Sequence, residues 1–284
     1  MKFYSIEGNR QKLDAGAMFG NAPKALWSRW VDVDDQNRME LACRGLLVTG
    51  LNGKNVLFET GIGNFFDPKL KQRFGVYQDN HVLLDSLQQL GFAADDIDVV
   101  VLSHLHFDHA GGMLTSWQEN QQPELVFKNA EYLIGSDHWD RAINPHPRDR
   151  ASFIPVLHKL LEQSGRLRLV SGHFHETLGP DVLFSYTEGH TPGLMHAQIG
   201  DMMFASDLIP GTAWVHIPIS MGYDRYPEKL IDEKTTFLQS VIENNQRLFF
   251  THDPEVIAAH IQLKDGKYTA INPIKKLNEE YKTC

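Results

Sequence analysis

The sequence predicts a layered α/β domain, a four-layer αββα sandwich with helices outside two sheets. Three observations predict it. Apolar runs early in the chain are joined by a hairpin turn, later runs alternate with helical periodicities, and no linker, repeat or low-complexity tract divides the chain. A length of 284 residues fits one large domain, and a chain of that size buries enough surface to fold without disulfides.

Leu46–Thr49 and Val56–Phe58 are short apolar runs split by Asn52-Gly53, a tight-hairpin dipeptide. Val82, Leu83, Leu87 and Leu90 recur at helical spacing before Gly91, so 82–90 reads as a helix. Ile97–Leu102 is an apolar, β-branched run of the kind a buried strand carries. Ser152–Gln163 reads as a helix ending near Gly165. Val182–Tyr186, Met195–Ile199 and Met202–Phe204 read as strands, the last two joined by Gly200-Asp201. Pro227–Glu243 is a long helix with proline in its first turn, and Leu248–Thr251 is a further buried strand. Residues 1–40 read as an N-terminal arm of the single domain 1–284. Its stretch Pro23–Trp30, with Trp27, is expected to cover the pocket or a partner subunit.

The charge balance excludes some partners. Lys+Arg is 27 and Asp+Glu is 36, a formal −9, which argues against nucleic acid and anionic membranes, since both favour basic surfaces. The start lacks a signal peptide's basic-then-apolar shape, and no apolar run approaches the roughly 20 residues that span a bilayer. A cytoplasmic protein is the expectation. With only Cys43 and Cys284, a four-cysteine zinc site is excluded. Metal ligands would have to come from His, Asp and Glu, and the chain holds 14 histidines.

The sharpest segment is Ser103-His104-Leu105-His106-Phe107-Asp108-His109-Ala110-Gly111-Gly112, directly after the buried strand. Residues two apart on extended chain point to the same side, so His104 and His106 face one way while Asp108 and His109 turn toward a second point. Gly111-Gly112 permit close backbone approach. Three later segments, each past an expected strand, offer partners: Glu188-Gly189-His190, Ala205-Ser206-Asp207 and Thr251-His252-Asp253. Singly each would pass for an ordinary turn; together with the first cluster they supply His190, Asp207 and His252.

With these residues in place, the chain resembles the metallo-β-lactamase-fold hydrolase superfamily over essentially its whole length. His-x-His-x-Asp-His, a distant His, then Asp, then His occur in that family's order. The resemblance is closer to the branch of YtnP-like lactonases, methyl parathion hydrolase and acyl-homoserine-lactone lactonases. It is carried there by Gly16-Ala17-Met18-Phe19-Gly20, Pro23-Lys24-Ala25-Leu26-Trp27, Arg148-Asp149-Arg150-Ala151-Ser152, Asp207-Leu208-Ile209-Pro210, Met221-Gly222-Tyr223-Asp224 and His252-Asp253-Pro254-Glu255-Val256. It implies two divalent metal ions, zinc first, with Mn, Co or Fe as alternatives. His104, His106 and His190 would hold one, Asp108, His109 and His252 the other, and Asp207 would bridge them. Imidazole and carboxylate donors suit these metals, and a pair about 3.5–4 Å apart can hold hydroxide at neutral pH.

Three departures stand out. Glu59 occupies a position where the family often has Asp, and a carboxylate there can hold a ligand histidine's other nitrogen. Leu194 precedes His196, where many relatives have His directly after Thr-Pro-Gly. Pro210 stands where some lactonases carry a catalytic Tyr. Help at the substrate is therefore sought from His216 and Tyr223, besides Asp108 and Asp207. His173 and His175 read as a solvated turn, and Arg148, Asp149 and Arg150 as a structural ion-pair cluster.

The expected activity is metal-dependent hydrolysis of a small lactone or ester by a hydroxide held between the metals, with an acyl-homoserine lactone leading and quorum quenching as the role. A phosphotriester or aryl ester is the alternative. An iron-dependent redox protein, a nuclease and a non-catalytic metal-binding module fit the residues less well. A homodimer is expected from the branch and from the N-terminal arm.

Overall fold

The computed structural model describes residues 1–280; Cys284 lies outside them. The chain enters through β1 (Lys2–Ile6), then a small hairpin of β2 (Gln11–Asp14) and β3 (Arg38–Leu41) brackets the one-turn helices α1 (Ala15–Met18) and α2 (Lys24–Trp27). Next come β4 (Gly45–Leu51), β5 (Lys54–Phe58), α3 (Pro68–Arg73), α4 (Val82–Gln89), β6 (Val99–Leu102) and α5 (Phe107–Ala110). They are followed by β7 (Glu131–Gly135), α6 (Ser136–Ile143), α7 (Pro155–Gln163), β8 (Leu167–Val170), β9 (Val182–Thr187), β10 (Leu194–Ile199) and β11 (Met202–Phe204). The last part holds α8 (Pro227–Glu243), β12 (Arg247–Phe249), β13 (Ala258–Lys264), β14 (Lys267–Ile274) and β15 (Asn278–Glu280).

Two sheets result. One runs β15-β1-β4-β5-β6-β7-β8 and the other β14-β13-β12-β11-β10-β9. The expected change from hairpins to crossovers is present. β4 and β5 are antiparallel around Asn52-Gly53, both at positive φ as that turn requires, whereas β5 to β8 are parallel with helices between them.

Strand alternation divides the core into layers. In β6, Val99 and Val101 pack between the sheets with Phe58, Phe204 and Phe249. Val100 and Leu102 face outward onto Leu83 and Leu87 of α4 and Leu157 and Leu161 of α7. On the far side, Met203 and Leu248 meet Leu230, Leu238 and Val241 of α8. Helix, sheet, sheet and helix therefore stack in the order the sequence predicts. No helix among the described residues is long and apolar enough to cross a membrane.

Several elements differ from the sequence reading. The helix expected from Ser152 starts at Pro155. Ile154 is extended, as the residue before proline tends to be, and Arg150–Ser152 form a separate single turn. The 1–40 arm is not detached. β1 lies inside the first sheet between β15 and β4, and Trp27 is 2% exposed, stacked on Phe19 at 5.7 Å. Phe19 in turn stacks on Trp214 at 4.9 Å, so the large apolar ring of Trp27 joins its own chain's core rather than a lid or a partner's surface. A further hairpin, β13–β14, turns at Asp265-Gly266, a dipeptide that is itself a hairpin signal.

Candidate metal centre

The loops leaving β5, β6, β9, β11 and β12 gather at one edge of the sandwich. They carry Glu59, the His104–His109 segment, His190, Asp207 and His252, so residues far apart in sequence meet on the ends of two rigid sheets. The approach of these loops is close. A Cβ on Gly112 would lie 2.0 Å from the Thr60 carbonyl oxygen, so only glycine fits there. Glu59 (φ 65°) and Ser206 (φ 47°) adopt the left-handed region that non-glycine residues seldom enter. Such strained positions cluster where surrounding structure over-determines the backbone.

Asp207 sits in the middle with its two oxygens divided. Oδ1 lies 3.3 Å from His109 Nε2 and 3.2 Å from His252 Nε2. Oδ2 lies 3.3 Å from His190 Nε2 and 3.9 Å from His104 Nε2. Asp108 completes the first of these groups, 3.7 Å from His252 Nε2 and 3.9 Å from His109 Nε2. His106 completes the other, its Nδ1 3.3 Å from His190 Nε2. Donor atoms of His104, His106 and His190 converge within 4.8 Å of one another, as do those of Asp108, His109 and His252.

Four of the five imidazoles are aimed from behind. His252 Nδ1 donates to the Ala42 carbonyl at 2.6 Å. His190 Nδ1 donates to Asp224 Oδ1 at 2.8 Å. His104 Nδ1 donates to Ser103 Oγ at 2.9 Å, whose own proton goes to Ser206 Oγ at 2.8 Å. His109 Nδ1 lies 3.1 Å from Glu59 Oε2, while Glu59 Oε1 accepts from Ser103 N. With the rear nitrogen hydrogen-bonded, each ring turns Nε2 toward the centre as the atom available to a metal. The methylene that distinguishes Glu59 from Asp leaves this contact in reach.

The centre calls for positive charge. His104 Nε2, His106 Nε2 and Asp207 Oδ1 are buried without a hydrogen-bond partner. Burial, then the neighbouring imidazoles, push His104 and His106 well below the ordinary histidine range. Burial would do the same to His109 and His252, but Asp207, joined by Glu59 and Asp108 at His109 and by Cys43 at His252, holds both well above it. Burial would raise Asp207, yet His109, His252 and His190 draw it well below the usual carboxylate range. Buried acceptors of nitrogen and oxygen type, in two groups sharing one carboxylate, fit a pair of divalent metal ions.

Above the centre lies a cavity of about 770 Å³ walled by Phe65, Phe66, Phe107, Trp117, Phe153 and Met221, with His106, Asp108, His190, Asp207 and His252 at its floor. Tyr223 lines it as well; burial, then Asp108, push its phenol up, so it keeps its proton. His216 does not line it. That ring, on the chain after Trp214, packs at 5.8 Å from Trp30, outside the cavity wall. Leu13 and Met18 are the parts of the N-terminal region that reach the wall. Arg148 lines the cavity and donates to the Gly222 carbonyl, while Asp149 pairs with Arg141 at 2.6 Å. His173, exposed, and His175 lie in the turn before β9, away from the floor.

A family model described as the metallo-beta-lactamase superfamily matches residues 41–252. The chain belongs to that superfamily. Within this superfamily of metal-dependent hydrolases, an N-acyl homoserine lactonase from Bacillus thuringiensis is 24% identical over 180 residues, 61% of this chain. The match spans 62% of that curated relative's own length. A probable metal-dependent hydrolase from Staphylococcus aureus superposes with TM-score 0.83 and 27% identity, covering 99% of this chain and 98% of its own. AidC, a dizinc quorum-quenching lactonase solved with a product homoserine, gives TM-score 0.73 at 23% identity, covering 99% of this chain and 95% of its own.

Some residues around the centre escaped the sequence reading. Asp224, in the Met221–Asp224 motif, accepts from His190 Nδ1, a contact that the motif alone does not announce. Gln11, buried, donates from Nε2 to Asp108 Oδ2 at 2.8 Å and had no local signal at all. His138 is buried between two ligand loops. Its Nε2 accepts from Leu105 N at 2.8 Å, and its Nδ1 donates to the Pro192 carbonyl at 3.0 Å. A signal for it existed: His138, Trp139 and Ala142 share the inner face of a short helical pattern.

Proposed function

We propose that the protein opens lactone rings at a two-metal centre, with N-acyl homoserine lactones as the leading substrate class. The observation that carries this reading is the divided carboxylate of Asp207, set between two imidazole groups at the floor of an apolar cavity. In this reading His104, His106 and His190 would hold one metal, Asp108, His109 and His252 would hold the other, and Asp207 would be shared between them. Zinc is the metal of choice for such donors, and the likeness to a dizinc lactonase supports it. Bound there, the pair would supply Lewis acidity and lower the pKa of a water to about 7.

The chain's own residues do the rest. The aromatic walls receive an apolar acyl arm and exclude water, which strengthens every charge interaction at the floor. Asp108, with Gln11 fixing its Oδ2, stands at the floor where it can take a proton and return it to the departing ring oxygen. Tyr223 keeps its phenolic proton and offers it to a substrate oxygen from the wall. His216 has no part in this step. A single domain, a homodimer and a cytoplasmic location belong to the same proposal. The homodimer rests on the branch resemblance and not on Trp27.

A substrate panel tests the reading: lactones with short and long acyl arms, aryl esters, and phosphotriesters, each given to the wild type and to Asp207→Ala. Lactone turnover that disappears in Asp207→Ala is the expected result. Phosphotriester turnover exceeding lactone turnover would replace the lactone assignment, and equal turnover by both proteins would remove the centre from catalysis.

A further inference from the structure

We infer that helix α8 positions His190 from two directions, through the adjacent residues Glu233 and Lys234, and so sets how tightly the His104/His106/His190 group holds its metal. The inference rests on the reading of His190 as a metal ligand.

The inner stripe of α8 is Leu230, Lys234, Leu238 and Val241, all buried. A lysine in that stripe, 0% exposed, is tolerated only if its ammonium protons are satisfied. They are: Nζ donates to the carbonyls of His216 at 3.1 Å, Ile217 at 3.2 Å and Ile219 at 2.8 Å. Three donors meet three acceptors, so one side chain pins the 216–219 segment to the helix. That segment leads into a turn closed by Met221 N donating to Asp224 Oδ2 at 2.6 Å. The other oxygen of Asp224 takes the His190 Nδ1 proton. Lys234 thus fixes the rear anchor of the His190 ring.

Glu233 works on the backbone of the same histidine. Its two carboxylate oxygens accept from Glu188 N at 2.9 Å and Gly189 N at 2.8 Å, the two amides just before His190. The turn is pressed onto the helix, since a Cβ on Gly189 would lie 2.4 Å from Leu230 Cα. Beyond the Asp224 turn, Arg225 N donates to the His190 carbonyl and Tyr226 N to that of Gly189. Both the ring and the backbone of His190 are therefore referred to one rigid element. The rear partners of His104, His109 and His252 lie beside strand ends instead and make no use of α8.

The test uses the full-length protein with zinc, comparing wild type, Glu233→Ala, Glu233→Gln, Lys234→Met and His190→Ala. Competition with a chromophoric chelator gives the affinity of each of two zinc sites, and thermal melting of the metal-stripped protein gives fold stability. Glu233→Ala is expected to weaken one site about 10-fold, the scale seen when a ligand's supporting partner is removed, and to leave the other within about twofold. Glu233→Gln keeps one acceptor and should recover part of the loss. The weakened site should be the one His190→Ala abolishes, so adding Glu233→Ala to His190→Ala should cost the remaining site nothing. Equal weakening of both sites, or loss of zinc only in step with the melting temperature of the stripped protein, would show a purely structural role and overturn the inference. Two tight sites in His190→Ala would overturn the ligand reading beneath it. If Lys234→Met fails to fold, the Glu233 pair still decides.

Discussion

The two halves of the centre are held in different ways. His109 and His252 are backed by Glu59, one residue past β5, and by the Ala42 carbonyl, three residues before β4. Both supports lie within a few residues of neighbouring strands in the first sheet. His190 is backed by Asp224, 34 residues later in the chain, on a loop outside the strands that Lys234 of α8 ties down at the Ile219 carbonyl. Near a strand end, the support's position follows from the sheet ladder. On a long loop it must be built from side-chain contacts, and here it is built from Lys234, Glu233 and the Asp224 turn. Both halves reach the cavity, His106 and His190 from one and Asp108 and His252 from the other, with Tyr223 and Met221 in the same wall.

The largest break in this contrast comes at the residue the halves share. Asp207→Asn keeps the shape but removes the charge that His109, His252 and His190 all face. Activity should fall by at least about 10³-fold and metal content below two per chain, as read by turnover and elemental analysis. Equal metal content would show that each half binds without the shared carboxylate. A smaller and one-sided effect should follow Glu59→Gln. The carboxylate behind His109 becomes a neutral amide, and zinc affinity at the His109/His252 half should drop roughly 10-fold while the His190 half holds. Site-resolved chelator competition reads this directly, and loss at both halves would mean that the sheet-end support is not local.

The smallest effect is one of pH. Burial pulls His138 and His196 down to about 3 and His158 to about 4, against 6.5 when unfolded. Their folded values lie below the unfolded one, so the unfolded chain binds protons that the folded chain refuses. Stability from these rings is complete above about pH 6.5 and is lost as pH falls toward 3, at up to about 1.4 kcal/mol per pH unit for each. His138 is the ring that braces Leu105 and Pro192, so it ties this loss to the His190 side. Urea midpoints between pH 7 and 5 should show a shallower slope in His138→Gln than in the wild type; identical slopes would remove His138 from the acid response.

Much of this was legible in the sequence because it is local. Asn52-Gly53, the β-branched run of β6 and the proline at the start of α8 each specify backbone on their own. The His-x-His-x-Asp-His segment is legible for the same reason, since four side chains within six residues need no fold to be near one another. The misreadings came where a residue's environment is made by distant chain. Trp27 looks like an exposed anchor until Phe19 and Trp214 close around it, and His216 looks like a helper until its loop is seen to face Trp30. Lys234 was readable in principle, as a charge in an apolar stripe, but nothing in α8 itself says that three carbonyls from residues 216–219 will meet it.

The sequence by itself therefore determined the layered class, the β4–β5 hairpin, the helices α4 and α8, and which residue types were available to bind metal. Tertiary structure decided how Asp207 divides its oxygens, which nitrogen each histidine presents, and which aromatic residues face the cavity. The physical reason is one of range. Backbone preference and periodicity act over a few residues, whereas the direction of a buried imidazole is set by the hydrogen bond behind it, and its partner here lies one residue away for His104 and 210 away for His252.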